Sequence, residues 1–175
     1  KCSTSDCTGS AMITIVDSDP TNDFAQMLSM SIGNDGFPVI SYYDATNASL
    51  EVAKCVDADC SQSATISVVH AGGGGQYSSI AIGDDGFPVI SYFTGGALAV
   101  AKCADVACST PATLTLVDSK PSAGPVGFWT SIEIGSGGRP GISDQDAPGG
   151  DARFVRCATA DCSGPANEIV QSRSA

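Results

Sequence analysis

A pair of cysteines five positions apart recurs four times along the chain: Cys2 with Cys7, Cys55 with Cys60, Cys103 with Cys108 and Cys157 with Cys162. These are all eight cysteines of the 175 residues, and a basic residue precedes each pair, namely Lys1, Lys54, Lys102 and Arg156. Spacing this strict belongs to a repeat. A repeat restricts the chain to copies of one small unit, each burying its apolar face against the next.

Three copies align, over residues 28–69, 78–119 and 130–172, and residues 1–18 match the tail of a fourth. In the shared IGxxG stretch the second glycines are Gly36, Gly86 and Gly138, so the period is 50 and then 52 residues. That length falls among those of β-propeller blades and other repeat arrays.

Each copy reads as four short strands. In copy two, Ser79–Ile82 alternates polar and apolar residues. The turn GDDG follows, and "FPVISYF", "ALAVAKC" and "ATLTLV" supply three more strands rich in β-branched and aromatic residues. Pro88 stands where a strand begins, so no ladder hydrogen bond is lost. Tight turns are expected at Gly33–Gly36, Gly83–Gly86 and Gly135–Gly138. No segment repeats apolar residues at helical spacing for three turns. The expectation is an all-β, disulfide-stapled fold of tandem four-stranded antiparallel repeats resembling propeller blades, three complete plus an N-terminal half. It forms a single repeat domain, 1–175, divided as 1–18 (half), 19–69, 70–119 and 120–175.

The first cysteine of each pair ends strand three and the second falls in the loop before strand four. The constant spacing predicts bridges within repeats, 2–7, 55–60, 103–108 and 157–162, each clamping an outer hairpin. Zinc prefers shorter cysteine spacings and often recruits histidine, and the one histidine, His70, is far from any pair. Disulfides imply an oxidising compartment, so the protein is expected to be secreted, extracellular or on the cell surface. The start at Lys1 is consistent with a removed leader or with a piece of a longer chain.

A net charge of −11 without a basic patch argues against nucleic acid as a partner. No stretch approaches the length of an apolar membrane span, so no membrane insertion is expected.

No catalytic constellation and no cofactor site are legible. Two acidic loops are calcium candidates, with Asp17, Asp19 and Asp23 in "DSDPTND" and Asp144, Asp146 and Asp151 in "DQDAPGGD". The first lacks the sixth-position glycine of an EF-hand, and both lack its closing glutamate. Asp35 and Asp85 read as hydrogen-bonding turn residues, a role Gly137 cannot repeat in copy three. The recurrent basic residue can pair with Asp6, Asp59 or Asp161 before the second cysteine, as a weak exposed ion pair. His70 reads as a surface residue. Trp129, with Phe128, opens copy three where copy two has Tyr77; such an aromatic either stacks on a sugar or closes the core edge. Asn47–Ala48–Ser49 is a glycan acceptor sequon.

The stretch "SIAIGDDGFPVISYF…LAVAKCADVAC" resembles repeat units of secreted bacterial proteins expected to be β-propellers, over nearly the whole chain. The resemblance implies the fold and little about function. The turn motif is also similar to the Asp-box of sialidases, but its tryptophan is absent. The arginines, Arg139, Arg153, Arg156 and Arg173, all lie in the last copy or tail rather than spread as an arginine triad requires.

A closed propeller needs at least four blades, so the end units want neighbours. The expected function is therefore a non-enzymatic structural or adhesive module that assembles head to tail with other copies of itself, as filament or ring. The alternative is a glycan-binding propeller lectin, and the weaker alternative a sialidase-like glycoside hydrolase fragment.

Overall fold

The structure, a computed structural model, describes residues 2–18, 25–119, 124–147, 149–164 and 168–171. The described residues contain twelve strands and no helix. The first sheet holds β1 (Ala25–Ile32), β2 (Pro38–Asp44), β3 (Ser49–Lys54) and β4 (Thr65–His70). The second holds β5 (Gly74–Ile82), β6 (Pro88–Thr94), β7 (Ala97–Lys102) and β8 (Thr113–Asp118). The third holds β9 (Val126–Ile134), β10 (Pro140–Asp146), β11 (Ala152–Arg156) and β12 (Glu168–Gln171). Strands in each sheet run in sequence order and pair antiparallel. This is the blade expected from the repeat. Strand β4 ends at His70, one residue past the limit that the repeat alignment suggested for the first unit.

The sheets pack face to face through two apolar layers. Val39, Leu50 and Val52 of the first sheet meet Ile80, Ile90 and Ala101 of the second. Val89, Leu98 and Val100 meet Val126, Ile132, Ile142 and Val155 of the third. Strands β1, β5 and β9 lie side by side as the innermost row. Two glycines permit this approach. A Cβ at Gly75 would lie 2.7 Å from Leu50 Cα, and one at Gly127 2.9 Å from Leu98 Cα. Both have positive φ (116° and 92°), so only glycine fits without strain.

The repeated turn closes as expected: the N–H groups of Gly36, Gly86 and Gly138 donate to the carbonyls of Gly33, Gly83 and Gly135. Asp35 and Asp85 accept from the N–H of Phe37 and Phe87 at 3.0 Å. The same carboxylates correct the expected partner of the basic residue. Lys54 pairs with Asp35 and Lys102 with Asp85, both at 2.8 Å, rather than with acids beside the second cysteine. Each ammonium also reaches the backbone carbonyl of the cysteine that follows it and lies about 5 Å over the ring of Phe37 or Phe87. Lys54 is 5% exposed, so the lysine end of this clip is buried, while the Asp35 end is open to solvent.

All four disulfides form within repeats: Cys2 to Cys7, Cys55 to Cys60, Cys103 to Cys108 and Cys157 to Cys162, with Cα–Cα separations of 4.9–5.1 Å. The second cysteine of each pair has a backbone that its sequence does not announce. Cys7, Cys60, Cys108 and Cys162 all have a left-handed φ, between 49° and 56°. The N–H of each donates to the carbonyl three residues earlier, that of Thr4, Asp57, Asp105 and Thr159 respectively. The bridge thus closes over a tight turn. In the three full blades it also lies deeper than a clamp on an outer hairpin suggests. Cys60, Cys108 and Cys162 are buried with their partners, and the last two bridges belong to the apolar layers between sheets. Cys7, in the half unit, is exposed.

In that N-terminal half unit the loop closes through the Cys2–Cys7 bridge and a Cys2↔Ala11 bridge pair. Residues 11–16, which match strand four of the full copies, join none of the three sheets. They run extended along the first sheet, with Thr14 Oγ1 donating to the Asp59 carbonyl and Asp17 accepting from Tyr42. Ile13 is left 91% exposed.

The two end faces differ. The face of the first sheet toward the N-terminus carries exposed Met30 and Ile32 beside Met12 and Ile13. On the outer face of the third sheet, Glu133, Gly141, Gln145 and Arg156 stand where the second sheet has Ala81, Val89, Phe93 and Lys102. Phe154 folds over Gly141 and covers the sheet itself.

Candidate functional site

The innermost strands carry an irregularity no glycine announces. Met27, Tyr77 and Trp129 occupy the same position of β1, β5 and β9, and all have positive φ, 54°, 55° and 52°. The β1–β2 and β5–β6 ladders shift register here. A left-handed conformation costs a bulky residue about 1–2 kcal/mol. Bonds to the next blade offset it: Ser78 Oγ donates to the Met27 carbonyl at 3.2 Å and Thr130 Oγ1 to the Tyr77 carbonyl at 2.7 Å. Ser29 and Ser79 hydroxyls accept from the N–H groups of Ile80 and Ile132.

The bulge turns three large side chains into one ledge. The rings of Tyr77 and Trp129 meet edge to face at 4.6 Å. Phe128 lies 5.3 Å from Tyr77 and 4.7 Å from Phe93, which together support them. Trp129 remains 66% exposed. It walls two hollows. One, of about 300 Å³, is bordered by Met27, Tyr77 and Thr130; the other, of about 320 Å³, by Ser143, Gln145 and Gly150. An exposed aromatic face flanked by an amide and hydroxyls suits a ligand with one apolar and several hydrogen-bonding surfaces. The sequence singled out Trp129, Phe128 and Tyr77; it missed Met27 and Phe93, which only the bulge register brings to the ledge.

A second recurrent position lies farther out between sheets. The cross-strand pairs Tyr42↔Glu51, Tyr92↔Ala99 and Asp144↔Arg153 are equivalent in the three blades. The end of the preceding strand four, or its counterpart, supplies Asp17, His70 and Asp118. In the first slot the Tyr42 hydroxyl donates to Asp17 Oδ2 at 2.7 Å and lies 3.1 Å from Glu51 Oε2, while Ser49 Oγ donates to Glu51 Oε1. Burial pushes the Glu51 carboxyl and the Tyr42 hydroxyl up in pKa. In the third slot Arg153 donates to Asp118 Oδ2 at 2.5 Å, and its Nε stands 3.5 Å from Asp144 Oδ1. Burial raises the Asp144 pKa against the pull of Arg153 and of the Gly127 N–H. The raised carboxyls of Glu51 and Asp144 thus occupy different slots, each with partners.

The calcium candidates are distributed among these ties. Asp17 and Asp144 serve the slots, and Asp146 Oδ1 accepts from the Asp151 N–H at 2.9 Å. Asp19 and Asp23 lie outside the described residues, as does Arg173. Among the described residues no group of three or more His, Cys, Asp or Glu side chains could hold a metal ion. His70 is not the surface residue expected: it is half-buried against Tyr92. Both polar side chains of the sequon are engaged, Asn47 Nδ2 with Asp44 and Ser49 Oγ with Glu51.

No family model and no curated protein matches the sequence. Among solved structures the fold is similar to a bifunctional GH43-CE protein of Bacteroides eggerthii, with a TM-score of 0.58 and 14% identity over 82% of this chain. The chain spans 19% of that protein's length. At this identity the likeness shows the fold, a β-propeller-like array of four-stranded sheets.

Proposed function

We propose that the chain is a non-catalytic extracellular binding module that takes carbohydrate on the Tyr77–Trp129 ledge. One observation carries the reading: the most exposed aromatic side chain among the described residues is fixed in a left-handed conformation on an innermost strand, between two hollows bordered by Ser143, Gln145 and Thr130. Strained backbone of this kind concentrates at ligand sites. A non-catalytic role is favoured because the two carboxyls with raised pKa sit in separate slots with internal partners, whereas glycoside hydrolysis needs two carboxyls flanking one bond. Four disulfides in a small domain are consistent with an extracellular setting.

The test is affinity electrophoresis and calorimetry with a panel of gluco-, xylo- and manno-oligosaccharides. At least one should bind the wild type, and Trp129→Ala should lose it while the disulfides remain intact. Equal binding by Trp129→Ala, or no binding across the panel, overturns the reading.

A second reading keeps self-assembly. It rests on the apolar N-terminal face, where Met30 and Ile32 are exposed beside Ile13. Because the outer face of the third sheet is polar, the pairing this favours is N-terminal face to N-terminal face rather than head to tail. Sedimentation of the wild type against Ile13→Asp and Met30→Lys tests it: a dimer that dissociates in the variants supports it, and a monomer at all concentrations excludes it.

A further inference from the structure

The slot between the first and second sheets is missing a part that the other two contain. Where the first sheet has Glu51 and the third Arg153, the second has Ala99. The missing side chain leaves a cavity of about 480 Å³ lined by His70, Tyr92, Ala97, Ala99, Leu114 and Leu116. His70 stands where Asp17 stands in the first slot, and its ring meets Tyr92 edge to face at 5.5 Å. Its Nδ1 is buried without a hydrogen-bond partner, packed on Gly74, where a Cβ would lie only 2.3 Å away. A buried polar atom left alone is costly.

We propose that this cavity binds a small organic acid with an apolar body, its carboxylate taking the place that the Glu51 carboxylate takes in the first slot. There a carboxylate lies 3.1 Å from the hydroxyl of Tyr42 and beside Asp17. Replacing Asp17 by histidine changes an acid neighbour into a hydrogen-bond donor, so an incoming anion meets two donors instead of a like charge. Leu114, Leu116 and Ala97 supply the apolar wall, which a sugar would not use. None of the ledge residues lines this cavity, so the proposal stands independently of carbohydrate binding.

Two titratable groups face the cavity, His70 from β4 and Tyr92 from β6; the lining residues of β7 and β8 are uncharged, and Asp118 at the end of β8 is held by Arg153. Burial depresses the His70 pKa in the empty protein. A bound carboxylate favours the imidazolium, so binding takes up a proton and tightens as pH falls. The net charge of −11 repels any anion at long range, so added salt should also tighten binding.

The experiment is calorimetric titration of the full chain with benzoate, using benzyl alcohol as its uncharged counterpart. Benzoate should bind at one site, and benzyl alcohol about tenfold more weakly or worse. Ala99→Glu should abolish benzoate binding without lowering the thermal midpoint, because it restores the side chain of the first slot. Tyr92→Phe should weaken binding about tenfold. Affinity should rise by up to about tenfold per pH unit on acidification from neutrality, and His70→Gln should remove that rise. Should Ala99→Glu fail to fold, the acid-versus-alcohol ratio and Tyr92→Phe decide the matter on folded protein. No benzoate binding, equal affinity for the alcohol, or undiminished affinity in Ala99→Glu or Tyr92→Phe overturns the proposal.

Discussion

Gly75→Ala should separate the first two blades. The new Cβ would lie 2.7 Å from Leu50 Cα and 2.8 Å from its nitrogen, both backbone atoms that no rotamer change can move. The position also has φ of 116°, which an alanine tolerates poorly. Gly72→Ala is the matched control, with φ of 82° and no heavy atom within 4 Å of its added Cβ. The control should cost about 1 kcal/mol of conformational strain, partly offset by a stiffer unfolded chain. Gly75→Ala adds overpacking of about 1–3 kcal/mol, because Leu50 belongs to the buried layer with Ile80 and Ile90 and the sheets must part to admit the methyl group. The total is about 2–4 kcal/mol, or a fall of about 5–15 °C in Tm for a domain of this size. Urea unfolding of both variants, compared at equal m value, measures the difference. If Gly75→Ala costs no more than Gly72→Ala, the close approach of β5 to β3 is wrong.

Asp35→Asn should cost about 1–3 kcal/mol, since it strands the buried Lys54 ammonium, and Asp85→Asn should cost less because Lys102 and Asp85 are both more exposed. Chemical denaturation with each single variant and its double with the lysine changed to methionine checks this, the double being milder than the single at Asp35. Replacing Cys103 and Cys108 by serine should cost about 2 kcal/mol, the entropy of a six-residue loop, and leave the other three bridges intact on non-reducing peptide mapping. Acid should destabilise the fold. Hydrogen bonds or lysines hold Asp35, Asp57, Asp85 and Asp105 below the usual carboxylate range, so their contribution is present above the unfolded value and lost as pH falls through the folded one. Glu51, pushed up by burial, has the opposite sign: its contribution is lost as pH rises, and Glu51→Gln should flatten that limb of the stability profile.

The local grammar of the blade was legible because it is local. Cysteine spacing, IGxxG turns and alternating strands each lie within a few residues, and in the three full copies every one formed. What stayed hidden depends on register or on a neighbouring blade. Lys54 finds Asp35, nineteen positions earlier, only because β2 and β3 form a hairpin that brings the turn beside the first cysteine. The pairing of Cys60 with Cys55 and of Cys162 with Cys157 could be read from spacing, but the left-handed turn under each bridge could not, since cysteine carries no signal for positive φ. The slots join a strand-four end to a cross-strand pair one blade on, and the copies match there only in part: Asp17 aligns with Asp118 and Tyr42 with Tyr92, but His70, Asp144 and the Glu51, Ala99 and Arg153 position share no residue type. The ledge was half visible. Trp129 and Tyr77 stood out as aromatics, but positive φ at Met27, Tyr77 and Trp129 has no glycine to signal it. The stretch 11–16 has strand propensity yet joins no sheet, since propensity cannot supply a ladder partner.

Trp129 is the chain's single tryptophan, so its emission reports on the ledge alone. Acrylamide quenching measured with and without a saturating oligosaccharide, chosen as the tightest binder of the panel, therefore addresses carbohydrate binding at this residue directly. The ring should be readily quenched in the free protein, as its 66% exposure requires, and strongly protected in the complex. A tryptophan that is quenched equally in both states, while the oligosaccharide is demonstrably bound, would place the sugar elsewhere and contradict the ledge as the binding site.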